Sequence, residues 1–255
     1  MSGNLEGRVA IVTGATGGMG RAIVAEFYKQ GATVIMTGRD IDKLNTLRDT
    51  IVKKVPSTSP KTPAPTGISL DLTATDVEKT LIDYTIRTAN RLDILVNNAG
   101  NTDGQMFLKT SHDFLNRVMH INFTTPYFIM QAALTPMLKN RYGRIINITS
   151  IAGHSGDAGL SAYAASKGAL AAASKSIAVE YGRRNITVNC VAPGTIDTDA
   201  VAKIPEARQA EIKSAIPLRR YGKPEEVAAL VAFLASEQAS YINGQQILID
   251  GGLIR

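Results

Sequence analysis

Short apolar segments alternate along the chain with longer segments in which apolar residues recur at helical spacing. The short segments are rich in β-branched residues and several are apolar on both faces, as parallel strands covered by helices must be. They predict strands at residues 8–13, 33–37, 67–70, 92–97, 144–149, 186–191 and 246–249. The longer segments predict helices at residues 18–30, 41–54, 75–90, 112–140, 161–183 and 224–235. This alternation predicts an α/β fold, a single doubly wound domain over residues 1–255 with a seven-stranded parallel sheet flanked by helices.

Two segments lie outside this alternation. Residues 55–67 carry four prolines and no apolar period, which predicts a surface insertion between a helix and the next strand. Residues 195–216 have few large apolar side chains and many charges. Such a composition suits a mobile lid that orders over a substrate.

Composition narrows the range of functions. No apolar run is long enough to span a membrane, and the N-terminus lacks the pattern of a secretory signal, so we expect a cytoplasmic protein without a membrane partner. The single cysteine, Cys190, excludes an internal disulfide and a cysteine-cluster metal site. The three histidines lack metal-ligand spacing, so no metal is expected. The net charge of +6 is scattered, with no nucleic-acid-binding module, so no nucleic-acid partner is predicted either.

The loop after the first predicted strand reads T-G-A-T-G-G-M-G and runs directly into a helix. It departs from both common phosphate-binding templates, because Thr16 and Met19 occupy positions where those templates have glycine. Gly14 suits a sharp turn, Gly18 a close approach of the backbone to phosphates, and Gly20 close packing of helix on strand. A strand, a glycine-rich turn and a helix N-terminus in this order predict a dinucleotide pyrophosphate site.

This loop resembles T-G-x-x-x-G-x-G, the cofactor signature of the short-chain dehydrogenase/reductase family. The resemblance continues with N-N-A-G at residues 97–100, Y-x-x-x-K at residues 163–167, and Pro193-Gly194 after the sixth predicted strand. It implies a Rossmann fold with sheet order 3-2-1-4-5-6-7 and an oxidoreductase acting on CH-OH groups.

The catalytic candidates begin with Tyr163 and Lys167, which share a helix face one turn apart. The nearby ammonium is expected to lower the phenol pKa from its reference near 10, which makes Tyr163 a general acid toward a carbonyl oxygen. Ser150 ends the fifth predicted strand, where it can donate a hydrogen bond to the same oxygen. By resemblance, Asn122 completes a tetrad by holding a water between Lys167 and solvent, and Lys167 also binds the nicotinamide ribose.

The end of the second predicted strand bears on the choice between NAD and NADP. No acid occupies its tip, whereas Arg39 follows and Asp40 suits the N-cap of the next helix. Because a guanidinium suits a 2′-phosphate, we predict NADP(H), with Arg39 as the main discriminator and Thr37 lining the pocket. The resemblance adds further cofactor contacts at Asp71, Leu72, Asn98, Ala99, Gly100, Pro193, Gly194, Ile196 and Thr198.

The C-terminal part, with G-K-P-E-E-V-A, resembles the 3-oxoacyl-[acyl-carrier-protein] reductases of fatty-acid synthesis. That resemblance implies NADPH-dependent reduction of a 3-oxoacyl group, a homotetramer, and an acidic carrier protein bound by Arg141 and Arg184. Two stretches depart from the subfamily, since N-T-D-G at residues 101–104 replaces I-T-R-D and L-S-A-Y at residues 160–163 replaces Q-A-N-Y. Two alternatives therefore stay open: a reductase of small ketones, sugars, polyols or other secondary alcohols, and a catalytically silent dinucleotide-sensing scaffold.

Overall fold

The computed structural model describes residues 4–199, 201 and 205–254. Its centre is a seven-stranded sheet in the order β3-β2-β1-β4-β5-β6-β7, with every neighbouring pair parallel. The predicted fold class and strand order are therefore confirmed. The strands are β1 Val9–Val12, β2 Thr33–Gly38, β3 Thr66–Ser69, β4 Ile94–Asn97, β5 Gly143–Ile148, β6 Ile186–Pro193 and β7 Gln246–Ile249.

Helices cover both faces of the sheet. They are α1 Gly18–Lys29, α2 Ile41–Lys54, α3 Val77–Ala89, α4 His112–Met119, α5 Thr125–Asn140, α6 Ala152–Ser155, α7 Ser161–Tyr181, α8 Glu206–Ala215 and α9 Pro224–Ala235. One apolar cluster packs α1, α2 and α9 against the sheet, and a second packs α3, α5 and α7 against its other face. Every residue of β1, β4, β5 and β6 is buried, which explains their apolar character on both faces.

Three segments differ from the prediction. The helix predicted at residues 112–140 consists of α4, a π-helical turn at His120–Thr124, and α5. The region predicted as a lid contains α8, which was not predicted, while residues 200 and 202–204 of that region lie outside the described residues. In the proline-rich insertion, the Thr58 amide donates a hydrogen bond to the Lys29 carbonyl, which holds the insertion against the end of α1.

A network of charged side chains lies at the edge of the sheet where the strands begin. Arg144 is fully buried, and its Nη2 lies 3.2 Å from Oε2 of Glu237. The Tyr142 ring centroid lies 3.6 Å from the guanidinium carbon of Arg8 and 4.3 Å from that of Arg144. The buried Asp93 pairs with Arg8 at 3.7 Å. These contacts join the starts of β1, β4 and β5 to the segment after α9.

Candidate active site

The predicted catalytic residues meet at the carboxyl edge of the sheet. Ser150 follows β5, and its Oγ accepts a hydrogen bond from the Ala152 amide at 3.1 Å. Tyr163 and Lys167 project from α7 toward the sheet and are 8 % and 4 % exposed. Ligands bind at this edge in doubly wound folds, so the residues lie where chemistry is expected.

The Lys167 ammonium is enclosed by the protein. Its Nζ donates a hydrogen bond to the Ile148 carbonyl at 2.8 Å, and burial lowers the pKa of Lys167 from 10.5 to about 8. Gly100 leaves room beside it, because a Cβ at that position would lie 3.3 Å from Nζ and 3.0 Å from Oδ1 of Asn122. Lys167, Asn122 and the N-N-A-G backbone therefore converge on one point.

Tyr163 differs from its prediction in one respect. Burial raises the pKa of Tyr163, and the hydrogen bond from Ser150 only partly opposes this effect. The expectation that Lys167 lowers the pKa of the phenol is wrong for this structure. The Lys167 Nζ lies 5.8 Å from the ring centroid, and its hydrogen bond goes to the Ile148 carbonyl. The spacing along the helix was predicted correctly, but burial decides the direction of the shift.

Asn122 lies in the π-helical turn between α4 and α5 and is fully buried. Its Oδ1 accepts from the Asn101 amide at 2.8 Å, and its Nδ2 donates to the Asn101 carbonyl at 2.9 Å. The backbone that follows N-N-A-G therefore fixes the Asn122 side chain on both sides. Sequence reasoning missed Asn101 as a partner, although the turn itself is of a kind often found at functional sites.

The glycine-rich loop forms a cradle whose walls leave no room for side chains. Gly14 has a φ of +62°, and a Cβ on it would lie 2.8 Å from the Ala99 Cα. A Cβ on Gly18 would lie 2.6 Å from Cγ2 of Thr198, and one on Gly20 would overlap the Gly14 carbonyl oxygen. A backbone this open, at the start of α1, fits the pyrophosphate of a dinucleotide.

A hydrogen-bonded bridge joins this loop to the end of β4. The Thr13 Oγ1 accepts from the amides of Asn98 and Ala99, both at 3.0 Å. In return, the Asn98 side-chain amide donates to the carbonyls of Thr13 and Gly14. Thr13 was not among the predicted site residues, although it begins the family signature. The side chain of Asn98 holds the loop, so a cofactor contact at this residue would be made by its backbone.

The end of β2 offers polar groups that match the adenosine end of a dinucleotide. The Thr37 Oγ1 is buried and has no hydrogen-bond partner among the described residues. Arg39 is exposed, and its side chain makes no hydrogen bond or ion pair within the described part of the chain. Two hydrogen bonds from Thr73 lower the pKa of the nearby Asp71, and the charge of Arg39 contributes. An unused guanidinium beside an unsatisfied hydroxyl fits an anionic ribose substituent.

The remaining predicted cofactor residues lie in the loops at the same edge of the sheet or in the first or last turns of the elements beside them. Ile196 is buried and pairs with Gly222 in an isolated parallel bridge, which ties the segment after β6 to the chain before α9. The Gly194 amide donates to the Ile249 carbonyl at 3.0 Å. The others at this edge are Thr16, Met19, Leu72 and Pro193. Their contacts with a cofactor stay predictions.

The two predicted carrier-protein residues lie at the opposite edge of the sheet. Arg141 ends α5 just before β5, and Arg184 precedes β6. Their segments touch, because the Asn185 side chain donates a hydrogen bond to the Arg141 carbonyl at 3.2 Å. Arg141 has a φ of +51°, a left-handed conformation that favours glycine. Both side chains are exposed, so they form one basic surface remote from Ser150.

Two searches of the described residues gave no candidates. Within the ranges that the structure covers, no helix is both long and apolar enough to cross a bilayer. Over the same ranges, no three acidic, histidine or cysteine side chains are grouped so that they could hold a metal ion.

A parallel doubly wound sheet with a glycine cradle beside a serine, tyrosine and lysine defines a nicotinamide-dinucleotide oxidoreductase. Comparison with known proteins agrees: a family model described as "Enoyl-(Acyl carrier protein) reductase" matches residues 14–254. The chain belongs to the short-chain dehydrogenase/reductase family.

Similar proteins include the 3-oxoacyl-[acyl-carrier-protein] reductase FabG of Aquifex aeolicus (strain VF5), 38 % identical over 98 % of both chains. The Nodulation protein G of Rhizobium sp. (strain N33) is 41 % identical, again over 98 % of both. Among solved structures, that of YwfH, an NADPH dependent reductase involved in bacilysin biosynthesis, is 31 % identical. It superposes with a TM-score of 0.90 over 97 % of this chain and 98 % of its own.

Proposed function

We propose that the protein reduces 3-oxoacyl-[acyl-carrier-protein] to 3-hydroxyacyl-[acyl-carrier-protein] with NADPH, as a step of fatty-acid synthesis. The observation that carries this proposal is the convergence of Ser150, Tyr163, Lys167 and Asn122 beside the glycine cradle. The relatives named as 3-oxoacyl-[acyl-carrier-protein] reductases support the choice of substrate.

Each of these residues has a separate role in carbonyl reduction. The nicotinamide, when bound, supplies a hydride to the carbonyl carbon. Ser150 and Tyr163 donate hydrogen bonds to the carbonyl oxygen, which stabilises the charge that develops there. Because burial raises the pKa of Tyr163, the phenol keeps its proton at neutral pH and can transfer it to that oxygen. Lys167 carries a proton beside Gly100 and Asn122. From this position the lysine can return a proton to the Tyr163 phenol after the phenol has given up its own.

The curated relatives favour a ketone over a carbon–carbon double bond as the reduced group. The matching family model is described by enoyl reduction, whereas the curated relatives are described by 3-oxoacyl reduction. In the first reaction the proton must reach a carbon atom, and in the second an oxygen. Ser150 and Tyr163 can donate to a carbonyl oxygen in either reaction, because charge develops on such an oxygen in both, so the choice between them rests on the relatives.

NADPH is proposed because of the end of β2. Arg39 has a free guanidinium and Thr37 an unsatisfied hydroxyl, and no carboxylate is available at the tip of the strand to accept from a ribose 2′-OH. Replacement Arg39→Asp should weaken NADPH binding at least tenfold and leave NADH binding within about twofold. Arg87→Asp, which changes an exposed arginine on α3, serves as the charge control. Equal loss of both nucleotides in the Arg39 variant would contradict the assignment.

We propose that carrier binding involves more than one copy of the chain. Arg141 and Arg184 lie one strand length from Ser150, about 20 Å for the six residues of β5 at 3.3 Å each. In this proposal a carrier docked on these arginines serves the active site of a neighbouring copy, since Ser150 of the same copy lies at the opposite edge of the sheet. We propose that the carrier binds across subunits of a homotetramer.

Exposed apolar side chains support assembly on two faces. Tyr127 and Phe128 on α5 are 37 % and 43 % exposed, and Val179 on α7 is 84 % exposed. On the other face of the sheet, Phe233 on α9 is 39 % exposed, and Tyr241, which precedes β7, is fully exposed. Two separate apolar faces suit a tetramer with two kinds of interface.

The test follows NADPH oxidation with acetoacetyl thioester presented on acyl carrier protein and on coenzyme A. Arg141→Gly should slow the carrier-bound substrate severalfold more than the coenzyme A substrate. Glycine suits the left-handed backbone, so the variant should be no less stable. Arg219→Gly is the matched control, because Arg219 is also a left-handed arginine, with a φ of +57°. Equal slowing of both substrates would contradict the carrier role, and no turnover of either would contradict the substrate.

A second candidate is a reductase of small polar carbonyl compounds. The site wall carries Asn101 and Asp103 in a closed polar turn, with the Asn101 amide group bonded to the Asp103 carboxylate at 2.8 Å. This turn replaces the I-T-R of the subfamily, and it favours a polar substrate. A panel of ketones, sugars and polyols, offered when both thioesters fail, tests it. A silent dinucleotide sensor would bind NADPH and fail the whole panel. Cytoplasmic location stays a prediction.

A further inference from the structure

Three large apolar side chains on one short turn are exposed to solvent. Met106 is 63 % exposed, Phe107 77 % and Leu108 98 %. The last two belong to a 3₁₀ helix at Phe107–Lys109, which contains no buried residue. We call these three residues the apolar rim. Exposed apolar residues are ordinary when isolated, but a contiguous group of large ones usually marks a binding surface.

The apolar rim borders the catalytic residues. The Gln105 amide donates to the Gly159 carbonyl at 2.8 Å, so the segment that leads into the rim lies against the chain that begins α7. A Cβ on Gly104 would lie 3.0 Å from Cδ2 of Leu160, which shows how closely the two segments pack. Met106 continues this contact, with its Sδ 3.9 Å from a Cβ built on Gly159. Tyr163 follows one helical turn later.

The same segment reaches the other side of the site. Its first residue, Asn101, fixes the Asn122 side chain through two hydrogen bonds. Residues 101–108 therefore run outward from Asn122, past the start of α7, and end in the rim. The wall is polar next to the catalytic residues and apolar at its outer end. A substrate with a polar reactive end and a long apolar tail matches that order.

We propose that the apolar rim binds the alkyl tail of the substrate and sets a preference for long acyl chains. This inference rests on the proposed reduction of 3-oxoacyl thioesters. An acetoacetyl group is too short to extend beyond the site, whereas each added methylene can bring the tail nearer to Phe107 and Leu108. The rim is continuous with the wall of the catalytic site. We therefore infer that the substrate tail, and not a second copy of the chain, binds there.

The test compares 3-oxoacyl-coenzyme A substrates of four, eight and twelve carbons in the wild type and in the double variant Phe107→Ser/Leu108→Ser. In the wild type, kcat/KM should rise with chain length by up to about fourfold for each methylene that becomes buried. The double variant should lose most of this rise. Val52→Ser removes an apolar side chain that is 47 % exposed on α2, and it should keep the wild-type dependence.

The molecular mass of each variant in solution is measured alongside. An unchanged chain-length dependence in the double variant would overturn the inference while leaving the proposed function in place. A change of oligomeric state with the chain-length dependence retained would assign the rim to a second copy and overturn it as well. Failure of the wild type to reduce any of the thioesters would overturn the proposed function and, with it, this inference.

Discussion

Replacing Lys167 by methionine should change how the stability of the protein depends on pH. Methionine preserves the length of the side chain and removes the amine. In the wild type, burial lowers the pKa of Lys167 from 10.5 to about 8. At neutral pH the folded wild type therefore holds a charged amine in a buried position, which lowers its free energy of unfolding. Lys167→Met has no such charge and avoids this loss.

The size and sign of the effect follow from proton linkage. Below pH 8 the lysine is charged in both the folded and the unfolded protein. Between pH 8 and 10.5 the unfolded protein binds more protons, so the wild type gains stability as the pH rises through this range. A pKa lowered to about 8 corresponds to about 3 kcal/mol in all, most of which is gained by pH 10. Lys167→Met lacks the amine and therefore lacks this contribution to the pH dependence of stability.

The assay is urea unfolding at pH 7 and pH 10 without added nucleotide. The quantity of interest is the free energy of unfolding of Lys167→Met minus that of the wild type. It should fall by about 2 to 3 kcal/mol between the two pH values. The bond from Nζ to the Ile148 carbonyl is lost in the variant, but that loss shifts both values together. The buried Cys190 thiol interacts electrostatically with Lys167, so both proteins carry Cys190→Ala to keep its ionisation out of the difference.

A control variant isolates the effect of burial. Lys175 is exposed on the same helix, and Lys175→Met should differ from the wild type by the same amount at pH 7 and pH 10. A difference for Lys167→Met that stays constant to within about 0.5 kcal/mol would refute the reasoning, because the amine would then be no harder to charge when folded.

Two further predictions concern stability. Gly20→Ala should lose about 2 kcal/mol and most nucleotide affinity, because its Cβ would overlap the Gly14 carbonyl. Gly17→Ala, whose Cβ would lie 3.5 Å from that oxygen, should stay within about 0.5 kcal/mol of wild type by urea unfolding. Equal losses would contradict this packing argument. Glu237→Gln should cost about 2 kcal/mol, since it leaves the buried Arg144 without a carboxylate. The exposed Glu180→Gln is its control, and an unchanged urea midpoint in the Glu237 variant would show that water replaces the carboxylate.

The sheet could be predicted because its strands carry a strong local signal. Segments such as V-A-I-V in β1 are short, β-branched and apolar on both faces, and no helix period competes with them. The catalytic residues could be predicted for a different reason. Ser150 follows a strand, and the ends of parallel strands share one edge of the sheet. Asn122, Tyr163 and Lys167 lie on helices, and their prediction depends on the resemblance to the motifs of the family.

Features that depend on tertiary contacts could not be read from the sequence in this way. The π-helical turn at His120–Thr124 contains no glycine or proline, and the helical period alone predicts one continuous helix over residues 112–140. Pro126 does mark the interruption, because it lacks the amide that would bond to the Asn122 carbonyl in a regular helix. Helix α8 has no buried residue, so it lacks the apolar stripe that a sequence pattern detects. The pKa of Tyr163 depends on burial, and the spacing between Tyr163 and Lys167 says nothing about burial.

The two edges of the sheet differ in how far their buried charged groups are paired. At the carboxyl edge, Lys167 is hard to charge and the Thr37 hydroxyl has no partner among the described residues. At the amino edge, Asp93 and Arg144 are buried within a network of ion pairs and cation–π contacts, although the Arg144 Nε has no hydrogen-bond partner among the described residues. Groups left unsatisfied in a folded protein lower its stability, and ligands that satisfy them recover that energy as binding. Nucleotide binding at the carboxyl edge should therefore raise the free energy of unfolding strongly. It should offset the stability that Glu237→Gln loses at the amino edge, and the nucleotide affinity of this variant should equal that of the wild type.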